Sequence, residues 1–486
     1  MPVARSGHRF AASLAAAGLL LLFVSAQALG ADTIYWANYT GNAISFARLD
    51  GFGGGRLSIT GATPDNPEGV AIDSATGRLY WANFTNSTIS FAQLDGSGGG
   101  QLNITGAAPH SPVGVAIDPA GGKIYWANAA NDTISFAKLD GSGGGVLDIN
   151  GATPDNPRGV AIDAAGGKIY WANAGNDTIS FARLDNSGGG GQLETTGAIP
   201  SFPDGLAIDA AAGRIYWANN TSNAHPISYA RLDNSGGGQL TTTGATASSA
   251  IGVAIDSAAG RIYWANNGNE TISYARLDNS GGGQLDIAGA LPSFPDFPVL
   301  LEAPAGAAAP AISAAGAALS CSRGSWAEDV AGAFLYRAPQ TFAYQWSRNG
   351  TDLPGAGAST LTATTAGDYR CQVTARNQAG SASQVSAAHS VSSAAVARHS
   401  GKPNTRITKA RISSRKHRAR FTFRSVGNAT GLQCELKRKH KRAKFRRCRS
   451  PKTYKHLKAG KYTFEVRAVG PAGRDPTPAK KTFRIR

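Results

Sequence analysis

From about residue 31 onward the chain alternates short apolar runs with clusters of Gly, Asp, Asn and Pro. That is the pattern of β-strands joined by tight turns. The stretch 157–190 is a representative unit. Gly159, Val160, Ala161 and Ile162 form a continuous apolar run, expected of a strand buried on both faces. Asp163 then opens a turn with glycines for positive φ. Residues 168–172 alternate Lys/Tyr/Ala against Ile/Trp, a second strand, and 179–184 read as a third. The Gly-rich stretch 185–190 reads as a reversal, with a fourth strand in the Gln-Leu-Glu-Thr that follows.

The unit repeats. Tyr-Trp-Ala-Asn begins at Tyr35, Tyr80, Tyr125, Tyr170, Tyr216 and Tyr263, at spacings of 45, 45, 45, 46 and 47. Four strands per period of roughly 45 residues is a propeller blade, which buries its faces only against neighbouring blades. The six repeat Tyr and the Trp after each of them, Trp36, Trp81, Trp126, Trp171, Trp217 and Trp264, are therefore expected to be packing residues. The first unit lacks an inner strand before Tyr35, and a surplus one follows the last unit at 292–301. Residues 297–302 are predicted to complete the first blade, giving a closed six-bladed ring over 31–302 with no free sheet edge.

These motifs resemble the YWTD repeats of the low-density lipoprotein receptor class B family. The resemblance implies a six-bladed propeller that binds protein without catalysis. Ala stands in place of the family's Thr. Asn38, Asn83, Asn128, Asn173, Asn219 and Asn266 stand in place of its Asp, which keeps an acceptor, adds donors and removes a charge.

Chemistry in the propeller is sparse. Asp73, Asp118, Asp163, Asp209 and Asp256 each precede a hairpin and read as turn starters. Asn-x-Ser/Thr sequences, as at Asn83 and Asn131, read as copied turns. Six-bladed propellers of the gluconolactonase type hold a divalent metal at the channel mouth. The residue before each inner-strand Gly, or before its counterpart in the closing strand, faces that mouth: Glu68, Val113, Arg158, Asp204, Ile251 and Asp296. Glu68, Asp204 and Asp296 are thus the candidate metal ligands. Val113 and Ile251 interrupt the ring, and Arg158 opposes a cation. The preferred reading is a solvated rim, with no catalytic residue and no cofactor.

Behind the propeller, residues 303–317 are Ala, Pro and Gly with little else, and read as a linker. Cys321, Trp346 and Cys371 follow at spacings of 25, with Tyr369 two residues before the second Cys. This resembles bacterial immunoglobulin-like modules, over 303–394. Residues 392–403 read as a second linker. Residues 403–486 resemble immunoglobulin- or fibronectin-III-like modules of secreted actinobacterial proteins. The expected class is all-β: a six-bladed propeller followed by two small β-sandwiches. Of the three possible pairings of Cys321, Cys371, Cys434 and Cys448, the module boundaries favour 321–371 and 434–448.

Charge changes the picture only at the end of the chain. Residues 401–486 hold 28 Lys and Arg against three acids, a net +25, while the remainder holds 20 against 28, a net −8, so all of the excess positive charge belongs to one module. In 418–424, Ala419, Phe421 and Phe423 share one strand face and Arg418, Arg420 and Arg424 the other. The loop between Cys434 and Cys448 adds Lys437, Arg438, Lys439, Lys441 and Arg442 among its eight cations. These are the expected anion-binding residues, for a cell-wall polymer or a membrane surface; specific nucleic-acid binding is not expected, since no reader fold is present.

The N-terminus reads as an export signal over 1–28. Arg5, His8 and Arg9 precede an apolar run at 11–24 and a small-x-small site at 26–28. Together these features predict a secreted, envelope-associated, non-catalytic binding protein of the cell surface, its propeller presenting a face to an extracellular protein or glycan. The alternatives are a metal-dependent gluconolactonase-like hydrolase and a structural envelope component.

Overall fold

The computed structural model describes residues 32–486 except 401, 428, 439–442 and 471–472. The export signal lies outside the described residues. Six antiparallel sheets form the propeller, each with strands in the order inner to outer. In the second blade these are Pro67–Asp73, Arg78–Asn83, Thr88–Gln93 and Gly99–Gln101. The first blade takes its inner strand from the far end of the repeat: Pro295–Leu301 pairs with Thr33–Asn38, Val299 opposite Tyr35. The ring is shut by segments from opposite ends of the repeat array, as the surplus strand predicted.

The outermost strands differ from expectation. They are the Gly-Gly-x segments themselves, such as Gly144–Val146 and Gly237–Gln239, and not the polar residues after them. The third strand crowds a side chain there: a Cβ on Gly144 would collide with the Phe136 carbonyl oxygen, and one on Gly145 would sit 3.2 Å from the Phe136 ring. Glycines that look like a reversal are strand residues flattened under an aromatic.

The repeat aromatics are interior residues. Trp36, Trp81, Trp126, Trp171, Trp217 and Trp264 are all inaccessible to solvent. Tyr80, Tyr125, Tyr170, Tyr216 and Tyr263 are essentially so, and Tyr35 is nearly so. Each Tyr packs at 5.6–6.1 Å on the aromatic opposite it in the third strand.

Each repeat Asn is a latch. Asn128 Oδ1 accepts from Trp126 Nε1 (3.0 Å) and from the His110 N–H in the loop entering the blade (3.0 Å), while its Nδ2 donates to Ser135 (2.9 Å). The same loop and Ser bonds recur in all six blades. The indole bond recurs from Trp36, Trp81, Trp217 and Trp264. Trp171 departs from the pattern: its buried Nε1 has no hydrogen-bond partner among the described residues. Donor and acceptor of the amide are both spent, which is why an uncharged side chain suits a site without solvent.

At the axis the inner strands meet through glycine. A Cβ on Gly69, Gly114 or Gly159 would lie 2.6 Å from the Cα of the next blade's Gly, and Gly205 and Gly252 are tighter still. Phe297 holds the sixth place at φ 33°, its side chain buried.

Residues 303–317 are not a linker. Gly306–Ala308 pairs with Ser325–Trp326, and Ile312–Ala315 enters the first sandwich. Ala-rich sequence gives no alternation to read, and its strand state comes from pairing. In this sandwich Cys321–Cys371 bridges the two sheets beside fully buried Trp346, and Tyr369 Oη donates to Thr365 O at 2.7 Å. An arm of the same module, residues 326–340, reaches back to the propeller. Leu335–Tyr336 pairs in parallel with Leu300 and Leu301, on the axial side of the first blade. Phe334, Leu335 and Tyr336 join the propeller core, and Gly332 abuts Ile162 and Ile208. The arm thus seals one end of the axis. Residues 393–400, also read as linker, form a short helix.

The last module is a second sandwich. Its core stacks Phe421 on Phe464 at 4.1 Å, and Cys434–Cys448 staples strands of one sheet. Tyr462 Oη donates to Lys458 O at 2.8 Å, repeating the tyrosine anchor of the first.

Two substitutions test this framework. Asn128→Ala strands a buried indole N–H and a loop N–H, and is expected to cost about 2–4 kcal/mol by chemical denaturation. Gly114→Ala forces a Cβ against Gly159 and is expected to cost about 1–3 kcal/mol or more. A Gly114→Ala propeller as stable as the parent would show that the axis is not closed by contact.

Candidate functional site

The rim where the inner strands begin brings the predicted residues together. Glu68, Asp204 and Asp296 converge, but around Arg158. Arg158 Nη2 lies 3.7 Å from Glu68 Oε2, and Nε lies 3.5 Å from Asp204 Oδ2. Sequence reasoning expected a solvated rim, and that expectation is wrong. All three carboxylates are buried, Asp204 completely. Val113, Ile251 and Phe297 pack as an apolar cluster beside them, roofed by Phe84 and Ala129. The axis below is shut by the glycine ring, so the rim residues have nowhere to turn but toward each other.

The repeat aromatics take no part in this rim. With Trp36, Trp81, Trp126, Trp171, Trp217 and Trp264 sealed inside the blades, none presents a ring face that a ligand could reach.

Burial sets the electrostatics. It pushes Glu68 up to about 7, with Arg158 pulling down and Asp204 adding repulsion. Asp204 is raised by burial against the pull of Arg158. Asp296 is raised well above its usual range, by burial first and then by Glu68 and Asp204. For Arg158, burial opposes the charge, but the three carboxylates outweigh it and keep the guanidinium protonated. One guanidinium cannot balance three carboxylates, so the cluster retains protons near neutrality. Both Asp204 oxygens and Glu68 Oε2 lack hydrogen-bond partners among the described residues. As an assembly this is an internal ion cluster. A divalent ion entering it would meet the fixed charge of Arg158, so the residues present fit a metal poorly.

Sequence reasoning missed the exposed part of this rim. The loops entering the fifth and first blades carry Ile199 (54% exposed), Leu291 (68%) and Phe294 (44%) at the surface. The equivalent loops at 63–67 and 153–157 read Thr-Pro-Asp-Asn-Pro. The signal was present in the duplicated Pro-Ser-Phe-Pro at 200–203 and 292–295. Phe294 O accepts from the Tyr39 N–H, and Tyr39 meets Phe84 edge-on at 6.0 Å, so aromatic residues run from the first-blade entry loop toward the centre of the rim. At the opposite end, a cavity of about 530 Å³ remains between the arm and the blade turns, beside Asp73, Asp118, Asp163 and Trp326.

In the basic module, Arg418, Arg420 and Arg424 project from one exposed face of their strand, with Ala419, Phe421 and Phe423 buried opposite. Lys437 departs from expectation: it bridges Glu435 (2.5 Å) and Glu465 (3.4 Å). Arg438 donates to Ala459 O at 2.7 Å. Lys439, Lys441 and Arg442 lie outside the described residues. The third acid, Asp475, accepts from the Thr405 hydroxyl. The module's three carboxylates are thus all committed internally.

The chain matches no known protein family and no curated protein. Solved structures similar to it include a nidogen/laminin complex (19% identity, TM-score 0.44, 55% of this chain and 98% of that one). A Lactobacillus plantarum protein (19%, 0.39, 54% and 82%) and a Kuenenia stuttgartiensis hydrazine synthase (14%, 0.37, 50% and 73%) are also similar.

The ion cluster predicts a pH dependence. Glu68 has a folded pKa above its unfolded value. The stability it contributes is full below about pH 4.5 and is lost as pH rises through about 7. Asp204 and Asp296 act in the same direction. Thermal midpoints are expected to fall as pH rises from about 4.5 through about 7, and Glu68→Gln to flatten that decline. Glu302, at the other end of the axis, is also raised to about 7, so the variant removes part of the slope. An unchanged slope in Glu68→Gln would detach the cluster from the titration.

Proposed function

We propose that this is a secreted, non-catalytic binding protein. The propeller rim offers the face for an extracellular protein or glycan, and the basic module docks on an anionic envelope polymer. The observation that carries this reading is the state of the axis. Glycine contacts close it in the middle, and the 326–340 arm fills one end. Among the described residues that leaves no open channel through the propeller, and the cavity of about 530 Å³ beneath the arm lies at the end away from the rim, so recognition at the rim falls to exposed surface. Leu291 and Phe294 on the first-blade entry loop, with Ile199 on the fifth-blade loop, give that surface exposed apolar groups for a partner to cover. The committed carboxylates of the basic module support the second half: its excess cations have no internal acid left to neutralise them. A protein-binding propeller is in keeping with a resemblance to YWTD repeats. The structural-component reading shares the docking step and differs only in needing no rim ligand.

Retention on purified cell wall tests the docking half. The full chain is expected to be held at about 0.05 M salt and released by about 0.5 M. Protein lacking 403–486 is expected to wash through at both. Salt-insensitive retention of the truncated protein would overturn charge-mediated docking.

A further inference from the structure

We infer that the basic module contains a discrete oxyanion site between Arg447 and Arg449, separate from the diffuse basic face of the 418–424 strand. The inference rests on the reading of this module as one that binds anions, and narrows it to one cleft and one chemical class. The cleft has a volume of about 410 Å³ and is lined by Arg447 and Arg449 on one wall and by Ser425, Thr430 and Ser450 around them. Among the described residues, no carboxylate lines it. The arrangement follows from the disulfide. Cys448 is drawn toward the core by Cys434, and its N–H is held by Leu432 O at 2.9 Å. In an extended chain the residues on either side of an inward one point outward. Arg447 and Arg449 are accordingly both exposed, on the same side.

The donors are unspent. Among the described residues neither guanidinium has an acid within ion-pair distance, the module's acids being held by Lys437 and Thr405. Ser450 Oγ accepts the Phe423 N–H at 2.9 Å, which fixes the oxygen while leaving its proton free to donate. Thr430 donates to Val469 O at 3.2 Å, so it shapes the wall and does not offer a proton. A side chain at Gly431 would meet nothing within 4 Å, so the floor is open. Two planar forks and a hydroxyl around an open floor suit a tetrahedral oxyanion, above all a phosphate group.

The test measures binding of inorganic phosphate to the full chain by calorimetry, with ionic strength held constant by chloride. Arg447→Gln/Arg449→Gln is expected to weaken binding by about tenfold or more, while Arg418→Gln/Arg420→Gln, which removes the same charge, changes it less than about twofold. Arg447→Lys/Arg449→Lys, keeping charge without the forks, is expected to fall between them. Equal losses in both Gln pairs, or no binding by the parent, would overturn a discrete site. Repeating the series with poly(glycerol phosphate) and with phosphatidylglycerol vesicles separates the sources: selectivity for the Arg447/Arg449 pair with the polymer assigns a wall phosphate, with vesicles a headgroup. If cell-wall retention fails while phosphate binding keeps its Arg447/Arg449 dependence, the docking role is wrong and the site stands.

Discussion

The structure depends on how closely six strands can approach one axis. Backbone meets backbone at Gly69, Gly114, Gly159, Gly205 and Gly252, where a single Cβ would collide with the next blade. Glycine there costs conformational entropy in the unfolded chain. The return is a closed axis, and everything at the rim follows from it. The side chains one residue before the glycines are drawn within reach of each other, which is why charges predicted to line a wet mouth are buried. The sixth place shows the constraint from the other side. Phe297 accepts a left-handed backbone, and its side chain fills space beside Val113 and Ile251.

A buried ion cluster is weak evidence for stability, since desolvation of the charges offsets much of their attraction. The Arg158 cluster is better understood as a consequence of the sequence at one rim position under forced burial. Once two carboxylates are held there, a guanidinium is needed. With three, protons must be retained as well. The Asn latches work differently. Each pairs the polar atoms of its amide, so they join loop, second strand and third strand without exposing the fold to pH.

Much of this was legible in the sequence. The period, the blade count and the borrowed closing strand follow from the spacing of Tyr-Trp-Ala-Asn and the leftover inner strand, because a repeated unit must bury what its neighbour exposes. The rim positions were legible too, as the residues before the inner glycines. Their burial was not. It depends on the axis closing, and that is a property of the ring and not of any one unit. The unpartnered indole of Trp171 was equally hidden, since its repeat reads like the other five. The Gly-Gly-x outer strands were misread because glycine carries no side-chain alternation. The arm at 326–340 was invisible for a related reason: Phe334, Leu335 and Tyr336 look like any sandwich strand until they find the propeller's open end. Lys437 was grouped with its neighbours although Glu435 stands two residues before it on the same strand face; the second acid it meets, Glu465, comes from the neighbouring strand and is not visible in local spacing.

The basic module raises the question of why a fold would carry so much uncompensated charge. Repulsion among eight cations in one short loop works against folding, and surface ion pairs would return little even if acids were available. The acids are few and already committed. Stability therefore has to come from elsewhere: from the stacked Phe421 and Phe464, from Tyr462 anchored to Lys458, and from a disulfide closing a loop worth about 3 kcal/mol in the chain-entropy model. A core and a staple that sustain such charge make sense where the charge acts on something outside the chain. The disulfide does more than stabilise: by turning Cys448 inward it turns Arg447 and Arg449 outward together, converting two charges in a basic loop into a pair with a shared direction.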